Sequence, residues 1–290
     1  MNLEGKLRIV ERTDVGLVRE HNEDYVGSDE KLGIVVLADG MGGMNAGEVA
    51  SSMSVHLLMD ELSGFVRGAA QSEASPSAEA PSAEDGRDEA QHEPEVGLHS
   101  RVVKSAVEQV NSAVFHVSQT QPQCRGMGTT IVVLLFHDNQ VSVAHIGDSR
   151  AYRFRQDQLT PITTDHSFVQ ELVNKGLYTE DEARLSPRKN VVTRALGIAP
   201  TVEAEIHEYP VAKDDLYLIC SDGLTDLVTD ENIETSVRQF GTDLEGMADH
   251  LVNLANASGG RDNISIILVQ TLKPFPAGSS LFERIVDWFE

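Results

Sequence analysis

The sequence predicts an α+β fold in which an antiparallel sheet assembly is covered by helices. Three observations lead there. Short apolar runs bounded by turn residues recur along the 290 residues, neighbouring runs are often joined by tight turns, and the long segments with helical spacing come in pairs. That order argues against a doubly wound parallel sheet, whose strands alternate with helices. The length suits one large domain with a substantial core.

Taken in chain order, strands are expected at 34–38, 130–137, 140–146, 151–155, 216–220 and 263–271. The turn His137-Asp138-Asn139-Gln140 joins the second and third as a hairpin. Helical spacing marks 47–62, 98–119, 230–240 and 244–257. Between the first two helices, 64–97 is rich in Ala, Ser, Glu and Pro, with eight acidic and two basic residues. After Val66 it has almost no large apolar side chain, so burial cannot offset its ordering entropy. It is read as a disordered acidic insertion in a domain of residues 1–272. The tail, 273–290, carries a short amphipathic helix capped by Ser280, with Leu281, Phe282, Ile285, Val286, Trp288 and Phe289 on its apolar face. Docking on the parent domain and binding a partner are both open to it.

Charge narrows the function. The net charge is -23, from 46 acidic and 23 basic residues, which disfavours nucleic acid and anionic lipid as partners. A phosphate substrate would be repelled too, unless bound cations inverted the local field. No run approaches the roughly 20 apolar residues of a membrane helix. Residues 1–6 lack the apolar stretch of a secretory signal. The two cysteines, Cys124 and Cys220, cannot build a disulfide framework. The expected location is a reducing cytoplasm, and the expected state a monomer.

Aspartates recur where strands end. Apolar runs lead into Asp39-Gly40, Gly147-Asp148-Ser149 and Ser221-Asp222-Gly223, and Asp262 precedes the run from Ile264. Any one Asp-Gly is an ordinary turn. Four carboxylates gathered at one sheet edge would repel one another unless they shared cations. Hard oxygen donors favour Mg²⁺ or Mn²⁺, and there is no His/Cys cluster with zinc spacing or EF-hand loop. Asp39-Gly40-Met41-Gly42-Gly43 lets backbone approach closely, but no Gly-Lys-Ser/Thr follows to make it a P-loop.

These motifs, with several others in fixed order, resemble the protein phosphatase 2C family of metal-dependent protein phosphatases, in its bacterial form. Arg19-Glu20-His21-Asn22-Glu23-Asp24 is similar to the first family motif and Ala38-Asp39-Gly40-Met41-Gly42-Gly43 to the second. Met127-Gly128-Thr129-Thr130, His145-Ile146-Gly147-Asp148-Ser149-Arg150, Thr164-Asp165-His166-Ser167 and 190–197 follow. Ser221-Asp222-Gly223-Leu224-Thr225-Asp226 and Gly259-Gly260-Arg261-Asp262-Asn263 close the set. The resemblance spans 7–271 apart from the insertion.

It implies a β-sandwich of two antiparallel sheets flanked by helix pairs, with metals at one end. It also implies roles. Asp39 would bridge two Mn²⁺ or Mg²⁺ ions, with the Gly40 carbonyl as a further ligand. Asp222 and Asp262 would complete the first ion's shell, and Glu23 would serve the second, with Asp24 beside it. Asp148 with Asp222 would hold a third, weaker ion. Arg19, whose planar fork suits two phosphate oxygens, would grip the substrate. The implied reaction is hydrolysis of phosphoserine and phosphothreonine in proteins by metal-activated water, reversing a Ser/Thr kinase.

Met41 departs from members that carry a histidine there as proton donor, so the general acid is unassigned; His21, His145 and His166 lie near motifs. No cysteine sits in a His-Cys-(x)₅-Arg context, which excludes a cysteine-based phosphatase. The segment 165–194 corresponds to the family's flap, and Arg188 and Lys189 there are expected to receive phosphopeptides. The alternative function is a phosphoprotein-sensing domain of the same fold, which loss of metal carboxylates would signal; all the expected ones are present.

Overall fold

The computed structural model describes residues 2–43, 46–73 and 97–276. Two antiparallel sheets lie face to face. One has the order β1-β11-β10-β7-β8, formed by Leu7–Asp14, Ile264–Thr271, Leu216–Cys220, Arg150–Arg155 and Gln158–Pro161. The other has the order β2-β3-β5-β6-β9, formed by Asp24–Asp29, Ile34–Met41, Ile131–His137, Gln140–Ile146 and Glu205–Pro210, with the short β4 (Gly128–Thr129) paired to β3.

Alternation along the strands builds the layers. On β5, Val132, Leu134 and Phe136 enter the core between the sheets, where they meet Tyr217, Ile219, Ile267 and Val269. Ile131, Val133 and Leu135 face the other way, onto α1 (Ala46–Glu73) and α2 (Leu98–Thr120). The outer face of the first sheet is covered by α6 (Asp230–Phe240) and α7 (Leu244–Ala257) through Ile233, Val237, Met247 and Leu251. Strands buried on both faces read as continuous apolar runs, which is why β3, β5, β10 and β11 stand out in the sequence. Asp138 and Asn139 adopt φ of 48° and 56°, as a two-residue hairpin turn between β5 and β6 requires.

Helix α1 corrects the expected start of the insertion. It passes Gly64 and Gly68 and ends at Glu73. Val66, only 2% exposed, and Phe65 continue the apolar row of Leu58 and Leu62 against the sheet. Both glycines face open space, where a Cβ would meet nothing within 4 Å, so they break no packing. The rest of the insertion, from 74 to 96, and the proposed tail helix lie outside the described residues. Among the described residues, no helix is long and apolar enough to cross a membrane.

Candidate metal centre

The four aspartates come from both sheets. β3 and β6 run parallel within one sheet and end at the same pole; β10 ends, and β11 begins, at that pole in the other sheet. Asp39 lies near the end of β3, Asp148 just after β6, Asp222 at the start of α5 (Asp222–Thr225) after β10, and Asp262 two residues before β11. Asp24, at the start of β2, stands directly opposite Asp39. The structure brings the aspartates singled out in the sequence together, but one sheet edge is too simple a picture: the carboxylates meet across the end of the sandwich.

Backbone geometry holds the cluster tight. A Cβ on Gly40 would lie 2.2 Å from the Gly47 carbonyl oxygen and 2.6 Å from that of Glu23. A Cβ on Gly223 would lie 2.0 Å from the Asn263 oxygen. Only glycine lets these strand ends approach so closely. The Asp39 N–H donates to Thr130 Oγ1 at 3.0 Å, and its carbonyl accepts from Thr129 Oγ1 and Thr130 N, both at 2.8 Å. Ser221 Oγ donates to Asp24 Oδ2 at 2.7 Å.

The loop from Val15 to Glu23 is held by Asn263, 4% exposed. Its Oδ1 accepts from Glu23 N–H at 2.8 Å, and its Nδ2 donates to the carbonyls of Val15 and His21 at 3.0 and 2.9 Å. This clamp escaped sequence reasoning, which assigned no role to Asn263 although it follows Asp262 directly; Thr130 and Ser221 escaped in the same way. The loop presents Arg19, whose guanidinium donates to Asp262 Oδ2 at 2.7 Å and lies 3.9 Å from Glu23 Oε2.

The electrostatics of this pole suit cations. Burial pushes Asp39 and Asp222 well above the usual carboxylate range, and the neighbouring carboxylates push them further. Burial also pushes Asp24 and Asp148 up to about 6, and raises Glu23 against the pull of Arg19. Like charges directly opposed on neighbouring strands, as Asp24 and Asp39 are, destabilise a sheet. Glu23 Oε1 and Asp24 Oδ1 are buried without a hydrogen-bond partner among the described residues. Orphaned anionic oxygens beside crowded carboxylates, with no nitrogen or sulfur donor among them, match hard divalent ions. The residues fit the metals that the sequence implies.

The three histidines near the motifs sit apart from this chemistry. His145 is buried with Nε2 2.8 Å from the Thr164 carbonyl, and its ring stacks on His166. His166 Nδ1 accepts from Gly147 N–H at 3.2 Å, while His21 is exposed and contributes its carbonyl to the Asn263 clamp. Cys124 and Cys220 are both buried, and burial pushes the Cys220 thiol up, so neither is a nucleophile.

Beside the aspartates, a cleft of about 510 Å³ opens beneath the flap, lined by Asp148, Arg150, Asp165, Lys189, Asp222 and Asp226. The flap contains α3 (Phe168–Asn174) and α4 (Glu180–Leu185). Lys189 Nζ pairs with Asp226 at 2.9 Å and Asn190 Nδ2 donates to the same carboxylate at 2.8 Å, while Arg188 lies over the Phe168 ring. Lys189 thus anchors the flap to the end of α5.

Fold and site together define a metal-dependent protein serine/threonine phosphatase. The sequence family described as Protein phosphatase 2C matches residues 17–258, and the chain belongs to that family. It is 36% identical over 262 residues to the serine/threonine phosphatase stp of Listeria innocua, covering 89% of this chain and 94% of that protein. The catalytic domain of the serine/threonine protein phosphatase PstP, solved in complex with two manganese ions, superposes with a TM-score of 0.73 at 33% identity, over 92% of this chain and 99% of that one. Stp1 from Staphylococcus aureus superposes with a TM-score of 0.75, also at 33% identity, over 94% and 98% of the two chains.

Proposed function

We propose that this chain hydrolyses phosphoserine and phosphothreonine in proteins at a binuclear Mn²⁺ or Mg²⁺ centre, reversing the work of a Ser/Thr kinase. The observation that carries the reading is the crowd of buried, mutually repelling carboxylates at one pole, with an arginine beside it. Asp39 would hold both ions with the Gly40 carbonyl as a further ligand, Asp222 and Asp262 would hold the first, and Glu23 the second with Asp24 beside it. Asp148 and Asp222 would hold a weaker third. When bound, such ions supply Lewis acidity: they ready water for attack and screen phosphoryl charge.

The chain's own residues do the rest. Arg19 turns its fork from Asp262 to two phosphate oxygens and fixes the substrate. Asn263 keeps the Arg19 loop in register with Asp262. Thr129, Thr130 and Ser221 hold Asp39 and Asp24 in place so that the carboxylates do not splay apart. The open cleft under the flap leaves room for a polypeptide carrying the phosphate. Met41 carries no proton to give, so the leaving alkoxide takes its proton from another source.

Phosphate release from a phosphothreonine peptide tests the proposal, measured with Mn²⁺, with Mg²⁺ and with EDTA, alongside Asp222→Asn. Metal-dependent release that collapses in the variant is expected. Folded protein inactive with every metal would overturn the reading and leave a phosphoprotein-sensing domain.

A further inference from the structure

At the opposite pole, a row of apolar side chains ends in a histidine. Ile131, Val133 and Leu135 face the helices, and His137 is the next residue on that face of β5, 3% exposed. Its Nε2 lies 2.9 Å from Ser142 Oγ and 3.2 Å from Glu208 Oε1. Ser142 Oγ gives its own proton to Glu208 Oε1 at 3.3 Å, so Nε2 carries a proton and donates to Ser142 Oγ. The other nitrogen, Nδ1, is left with a lone pair and no hydrogen-bond partner among the described residues. His99, in the first turn of α2, stacks on His137 with ring centroids 3.9 Å apart, and Asp138 Oδ2 lies 3.9 Å from His137 Nδ1. One ligand atom from each of the three lies within 4.8 Å of the others.

We propose that His99, His137 and Asp138 form a second metal site, for a late first-row divalent cation of the Zn²⁺ type, separate from the all-oxygen centre. Two imidazoles and a carboxylate are donors that such ions take, with water completing the shell. The second layer is already built: metal-bound histidines commonly direct their other N–H to a carboxylate or its relay, and His137 Nε2 reaches Glu208 through Ser142 Oγ, with the carboxylate itself 3.2 Å away. Burial pushes His137 down to about 4, so its ring is neutral at physiological pH. The near-parallel rings, 17° apart, require His99 to tilt as it binds, and its half-buried place in the first turn of α2 gives it that freedom.

A similar trio, His145, His166 and Glu205, is also within 4.8 Å. There His166 Nδ1 already accepts the Gly147 N–H, so Nε2 keeps its proton and has no lone pair to offer. The site at His137 lies seven residues along β5 from Thr130, about 23 Å from the aspartate pole at roughly 3.3 Å per residue. Bound metal there would tie the start of α2, where the chain returns from the insertion, to the β5–β6 turn. Spacing rules could not find it, because 38 positions separate the two histidines.

Cobalt reports on the site. Co²⁺ held by nitrogens in a tetrahedral shell absorbs visible light far more strongly than Co²⁺ in an octahedral oxygen shell. The full chain, treated with EDTA and then supplied with excess Mg²⁺, is titrated with Co²⁺. A strong visible band saturating at one equivalent and displaced by Zn²⁺ is expected. It should vanish in His99→Gln and in Asp138→Asn, a half-buried turn position outside the hydrophobic core. In Glu208→Gln it should need about 10- to 100-fold more Co²⁺. No strong band in the native chain, or a band that survives His99→Gln, overturns the proposal.

Discussion

Replacing Asp148 by asparagine should stabilise the EDTA-treated protein. The group is 8% exposed, and burial, helped by Asp165, raises its folded pKa from 3.8 to about 6. A carboxyl whose pKa is raised by folding opposes the fold when ionised: the penalty is absent below the unfolded pKa and complete above the folded one. A rise of that size corresponds to about 3 kcal/mol at pH 7.5. Asparagine fills the same space, never ionises, and can still accept from the backbone N–H at its own position. The gain should therefore be about 3 kcal/mol at pH 7.5, roughly 6 to 12 °C in Tm at about 2–4 °C per kcal/mol. It should shrink to about 1.5 kcal/mol at pH 5, where folded Asp148 is protonated and the unfolded chain mostly is not. Thermal unfolding in EDTA at the two pH values checks this. A destabilised variant, or a gain equal at both, would refute the electrostatic account of the pole.

Two further substitutions test the surroundings. Asn263→Ala removes three hydrogen bonds to the Arg19 loop at about 1 kcal/mol each, and kcat/KM on a phosphopeptide should fall roughly 100-fold with a raised Mn²⁺ requirement. Unchanged values of both in a Mn²⁺ titration would remove Asn263 from the machinery. Val66→Ala should cost about 2 kcal/mol in urea unfolding; an effect near zero would contradict the continuation of α1 past Gly64.

Much of this was legible in the sequence because burial on both faces leaves an unmistakable pattern. The strands β3, β5, β10 and β11 are mostly apolar and β6 is buried almost throughout, and Asp39, Asp148, Asp222 and Asp262 stand where those strands stop or start. β2 (Asp-Tyr-Val-Gly-Ser-Asp) and β9 (Glu-Ile-His-Glu-Tyr-Pro) are edge strands whose side chains are mostly only partly buried, so no run announces them. The start of the insertion was misplaced because glycine weakens a helix by propensity alone, whereas tertiary burial of Phe65 and Val66 decides the matter. Roles of support were invisible for another reason. Asn263 grips three backbone groups some 240 positions away, and no local pattern records which carbonyl a side chain will meet.

The helical hairpin of α1 and α2 has a consequence for how such a chain can change over time. α1 starts and α2 ends toward the pole of the aspartates, whereas α1 stops at Glu73 and α2 begins at Leu98 toward the far pole. The two helix ends that residues 74–96 connect therefore lie away from the aspartates. Doubling such a connection costs only about 0.6 kcal/mol in closure entropy. The hairpin thus gives the enzyme a place to acquire or shed sequence, acidic or otherwise, while its chemistry stays as it was.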